Sequence, residues 1–183
     1  MFVKNVTAIV AFCATAGTLT AGVIDQNQPS GPIFMAAFSQ GDLAQSFQQS
    51  SNVITGAGIL LQAGQGTTDM VTITLYDNLP NVGGNAIASA SALGTQGEWV
   101  DVFWSAESIT PDTTYFLVFT SDNDTLGIAG DTSDPYSRGQ VFANPGFSSF
   151  PTFDYAFRTY TVPAPASMAL LGMGGLIAVR RRR

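Results

Sequence analysis

The chain holds no histidine and a single cysteine, Cys13. Ser-His-Asp and Cys-His nucleophilic catalysis are therefore excluded. So are imidazole and thiolate sites for zinc, copper or iron. Carboxylates are the reactive groups that remain. Glu98 and Glu107 are the only glutamates, and most aspartates sit in polar turn segments. Asp101 stands apart because it interrupts the aromatic run "EWVDVFWS", where a solvent-facing strand position accounts for it. A pair of such acids could hydrolyse a glycosidic bond, and this is the catalytic alternative. The expected reading is a protein that is not an enzyme.

The stretch "SDNDTLGIAGDTSDPY" crowds Asp122, Asp124, Asp131 and Asp134. Loop carboxylates and carbonyls of this kind can hold calcium, which accepts oxygens in flexible geometry. An EF-hand is ruled out, because Leu126 and Ser133 occupy ligand positions and the flanks read as strands. Asp, Asn, Ser and Gly are also what turns are made of. Calcium is the one cofactor the sequence suggests. "GQGTTDM" lacks the Gly-Lys-Ser/Thr of a phosphate-binding loop and precedes a strand.

Exposed rings on a sheet face can hold sugars, so Trp99 and Trp104 are candidate glycan-binding residues. Their odd separation points them to opposite faces of a regular strand unless a bulge intervenes. Phe147, Phe150 and Phe153, in "FANPGFSSFPTFDYAF", could form a loop platform or pack that loop onto the domain.

These groups must be positioned by strands. "MVTITLYDN" places Val71, Ile73 and Leu75 on one face and Thr72, Thr74 and Tyr76 on the other. "EWVDVFWS", "TTYFLVFT" and "FDYAFRTY" are rich in aromatic and β-branched residues, and turn segments separate the runs. "NVITGAGILLQAG" reads as one long strand or two. Eight to ten strands over 23–161 predict an all-β, antiparallel, jelly-roll-like β-sandwich. The order "LAQSF", "VTITLYDNLP", "EWVDVFW", "TPDTTYFLVF", "DPYSRGQVFAN", "FDYAFRTY" resembles an uncharacterised β-sandwich domain of exported bacterial proteins with interchangeable surface anchors.

Charge is unevenly spread. All thirteen acids lie between Lys4 and Arg180, with only Arg138 and Arg158 against them, a net −11. Such a field excludes nucleic acid as a partner, because phosphate binding needs clustered cations. At the N-terminus one lysine, an apolar run over 6–16 and small residues up to 22 have the layout of a secretory signal peptide, residues 1–22. Export without a mature cysteine leaves the core to packing alone.

At the other end, Pro163 and Pro165 precede an uncharged apolar stretch over 168–179, which is short for a bilayer span of ~20 residues. Arg180, Arg181, Arg182 and Arg183 follow at once and should stay cytoplasmic. Residues 162–183 resemble the PEP-CTERM sorting tail of exported bacterial proteins. Val162, Pro163, Pro165, Ala166 and Ser167 match its Val-Pro-Glu-Pro start, "ALLGMGG" its helix, and the arginines its positive stop. Ala164 stands where the family has Glu. The resemblance implies an exosortase-type membrane protease as partner, a membrane-anchored precursor with a short transmembrane helix, and a Gram-negative-type envelope, often beside exopolysaccharide production. The expected function is a non-catalytic structural or adhesive module of the envelope or matrix. A carbohydrate-binding module is the alternative.

Overall fold

A computed structural model describes residues 22–163. The signal-peptide expectation, all but Gly22, lies outside these residues. So do Ala164, Pro165, Ala166 and Ser167 of the motif, the apolar stretch and Arg180–Arg183. Among the described residues no helix is long and apolar enough to cross a membrane.

The described chain is an antiparallel sandwich of two sheets. The strands are β1 Val23–Gln28, β2 Ile33–Ala37, β3 Leu43–Gln48, β4 Val53–Gln62, β5 Thr68–Tyr76, β6 Ala86–Thr95 and β7 Trp99–Ser108, followed by β8 Thr114–Ser121, β9 Gly127–Asp131, β10 Val141–Ala143, β11 Ser148–Phe150, β12 Asp154–Tyr155 and β13 Phe157–Thr161. One sheet runs β1-β13-β4-β9-β12, with β2 also on β9 and β7 also on β4; the other runs β11-β10-β3-β8-β5-β6. Thirteen strands exceed the eight to ten expected. The surplus is in pieces of two to five residues, such as β11 within "NPGFSSFP", where turn composition hides short ladders.

Alternation builds the core. Val71, Ile73 and Leu75 of β5 are fully buried, and they pack with Leu43, Phe47, Ile59, Leu61, Leu117, Phe119 and Phe157 from both sheets. Each such side chain contributes about 1.5–3 kcal/mol relative to exposure. A second cluster lies on the outer face of the β3–β8 sheet: Leu79 and Phe147 cover Ala44 and Val118. "NVITGAGILLQAG" yields one long strand, β4, with a register shift between Ile54 and Gly56.

Candidate functional site

The densest group of chemistry-bearing side chains outside the core lies on the outer face of the β1–β13–β4–β7 sheet. Its cause is a pair of glycines. Gly56 and Gly58, two residues apart on β4, share the outward face and leave it bare. Register places Phe103 and Tyr160 on either side of Gly56, and Asp101 and Arg158 on either side of Gly58. The neighbours lean over the gap. A Cβ added at Gly58 would sit 2.0 Å from Asp101 Oδ1, and one at Gly56 would meet Phe103 Cδ1 at 2.8 Å. The glycines are therefore required by what covers them.

Across the gap Arg158 donates Nε–H to Asp101 Oδ1 at 2.7 Å, and a second guanidinium nitrogen donates to Oδ2. Tyr160 donates its hydroxyl to Asp101 Oδ1 at 2.8 Å. The guanidinium lies over the Trp99 ring, 4.2 Å from its centroid, and the Phe103 and Tyr160 rings approach to 4.9 Å. This two-pronged bond to Asp101 holds Arg158 charged, its pKa raised against the opposing pull of burial. Burial, and then donation to Asp101, pushes the Tyr160 hydroxyl upward. The result is a charge-neutral aromatic group around one carboxylate, with Trp99, Arg158 and Phe103 reaching the surface and Tyr160 buried beneath them. Phe103, 48% exposed, is the most exposed member of the group. Such a surface can stack an apolar ring face and offer it polar edges.

Trp99 and Trp104 lie on opposite sides of β7, and both are half-buried. Trp104 packs against the main core, and its indole N–H has no partner among the described residues. β7 sets Trp104–Ala106 opposite Thr55 alone, so a bulge starts at Trp104. Trp99 is the one that joins the outer group. Phe147 is buried, while Phe150 and Phe153 stack at 5.6 Å beside a cleft of about 260 Å³ that Tyr155 and Met35 also line. That loop packs onto the sandwich.

The four loop aspartates do not converge. Asp122 and Asp124 precede β9, whereas Asp131 ends it and Asp134 follows. The four steps of β9 span about 13 Å, far beyond the separation of two ligands on one calcium ion. Among the described residues no three acidic, histidine or cysteine side chains group to hold a metal. Asp124 and Asp134 adopt left-handed turn conformations, φ 55° each, and Asp131 accepts from the hydroxyls of Ser30 and Ser133 at 2.6 and 2.7 Å. The strand β9 thus separates Asp122 and Asp124 from Asp131 and Asp134.

What organises the acidic loop is Asp69, from the segment "GQGTTDM". Asp69 is 2% exposed. It accepts from the N–H of Met70 at 2.9 Å, the side-chain amide of Asn123 at 3.0 Å, and both the N–H and hydroxyl of Thr125 at 3.1 Å. Burial pulls its pKa up, but these donors outweigh that and hold the carboxyl below its ordinary range. Asp154, fully buried, accepts from Gln45 at 2.9 Å and from the Tyr136 N–H at 3.0 Å. There desolvation dominates, and the carboxyl is raised.

Sequence reasoning passed over Arg158, Tyr160, Phe103 and Asp69. A usable signal existed for the first three: two glycines at a spacing of two inside a strand mark one bare face that neighbouring strands must cover.

Residues 161–183 match the PEP-CTERM protein-sorting motif. A tail of this family marks an exported protein, anchored at the membrane for sorting by an exosortase. The match begins at Thr161, the last residue of β13. No curated protein and no solved structure matches the chain.

Proposed function

We propose that the sandwich is a non-catalytic structural or adhesive module that the PEP-CTERM tail delivers to the envelope surface or matrix of a Gram-negative-type bacterium. The observation that carries this reading is the state of its shielded acids. Asp69, Asp101 and Asp154 each spend both oxygens on protein donors. Such carboxylates hold strands and loops together as structural acceptors. Cells lacking the protein should lose surface attachment or self-association. The full chain should restore it, and a chain without residues 162–183 should not. Attachment unchanged by loss of the protein would oppose the reading.

A carbohydrate-binding module is the second reading, and the outer aromatic group favours it. Phe103 would stack on a sugar ring, with Arg158 and Asp101 beside it and Trp99 held under the guanidinium. In a screen of immobilised polysaccharides, exopolysaccharide included, Phe103→Ala should weaken retention at least tenfold (about 1.4 kcal/mol). Thermal stability should barely change, because Phe103 is half exposed. Equal retention of wild type and variant would remove the outer face from consideration.

A further inference from the structure

Both ends of the sandwich leave it at one corner. Val23 pairs with Thr161, so the strand that follows the signal segment and the strand that precedes the sorting tail are neighbours at the same sheet edge. Gly22 packs so closely there that a Cβ would come within 2.9 Å of Tyr160 Cβ. Ser51 and Thr161 are joined through their hydroxyls at 2.7 Å, so the chain is held to its last paired residue. The corner is also apolar: Val23, Ile24 and Val162 are 50%, 44% and 44% exposed. Together with Asp25, Ser51 and Asn52 they line an open hollow of about 520 Å³. Asp25 is occupied, accepting from the N–H groups of Ser50 and Ser51 at 2.8 Å each.

The chain beyond this corner is short. Six residues, Val162 to Ser167, separate Thr161 from the apolar stretch that starts at Met168. Fully extended they reach about 20 Å. β4 alone, ten residues long, spans about 30 Å. The headgroup layer between hydrocarbon and water is roughly 5–8 Å deep on each side. A tether shorter than the domain cannot let it tumble freely above the surface, and the residues nearest the tether are apolar. The acidic loop at Asp122–Thr125 lies at the other end of the sandwich, since β4 runs from the tail corner toward Gln62, which pairs with Gly127 at the loop's edge. The negative charge of that loop is therefore directed away from the lipid.

We propose that, before the tail is removed, the sandwich sits on the outward-facing lipid surface by this corner, with Val23, Ile24 and Val162 in the interfacial layer. This rests on the reading of residues 162–183 as a membrane-anchored tail. The sorting motif is then presented at the bilayer by a folded domain with no free linker, and removal of the tail releases the corner from the surface.

The test uses residues 22–183, the chain as it stands once the signal peptide is gone and free of cysteine, inserted into phosphatidylcholine vesicles, with a single environment-sensitive label at Ile24→Cys, Val23→Cys or Gln65→Cys. Gln65 is exposed between β4 and β5, at the far end. Lipids spin-labelled near the headgroup should quench the label at Ile24 and at Val23 several times more than that at Gln65, with a blue-shifted emission. Two corner positions protect the result against one variant misfolding. Vesicle association with equal quenching at both ends of the domain overturns the docking alone. Failure of this chain to associate with vesicles overturns the anchoring, and the docking with it.

Discussion

A chain that stops at Thr161 is expected to leave the membrane fraction entirely and to remain a cooperatively folded protein. The first half of this expectation rests on the tail. The apolar stretch over 168–179 is the only long uncharged run after the sandwich, and the four arginines behind it oppose passage through the bilayer. Among the described residues no helix is long and apolar enough to take their place. The second half rests on where the fold ends. Thr161 closes the β1–β13 ladder, and Val162 is 44% exposed. Loss of an exposed residue away from core, cap or network is worth about 0.5 kcal/mol or less, a melting shift of only about 1–2 °C for a domain of this size. Fractionation followed by a thermal melt of the released protein checks both halves. Aggregation or a non-cooperative melt would make residues 162–183 part of the folded structure.

The tail was legible because its signal is local: prolines, an apolar run and arginines within one short window. The alternation of Val71, Ile73 and Leu75 was legible for the same reason, since a strand's buried face repeats every second residue. What escaped was non-local. Asp101 and Arg158 are 57 positions apart and meet only because β4, the strand between them, carries glycine at Gly58. Asp69 finds Asn123 and Thr125 across 54 and 56 positions. The acidic loop resembles a cation site because its carboxylates are close in sequence, while its donors answer to a carboxylate elsewhere. The strands β10 to β12 are too short to show a period, and they exist because β3 and β9 offer edges to β10 and β12, and β10 offers one to β11. Trp99 and Trp104 diverge as a period of two requires, yet the Arg158 guanidinium shields Trp99 and a bulge begins at Trp104.

Replacing Asp69 with alanine is expected to lower stability by about 3–5 kcal/mol at neutral pH. The carboxylate is nearly buried and receives donors from Met70, Asn123 and Thr125. Alanine leaves two or three of these without a partner in a site that water reaches poorly, at about 1–3 kcal/mol each. For a domain of this size that corresponds to a melting point roughly 10 °C lower. Asparagine should cost less than alanine, because its carbonyl keeps part of the donor set while its amide opposes the rest. The pH dependence follows from the depressed pKa of the carboxyl. A carboxyl that ionises more easily in the folded state contributes fully above its unfolded value, near 3.9. That contribution is lost as pH falls through the lower folded value. Urea midpoints measured at pH 7 and at pH 3 should therefore differ more in wild type than in Asp69→Asn, whose amide does not titrate. The loop should respond with the global fold: Asp69→Ala should raise amide exchange across residues 121–126 and weaken the start of β9. An Asp69→Ala protein that melts with wild type would mean that the Asn123–Thr125 turn holds itself, and that the donors aimed at this carboxylate are satisfied by water instead.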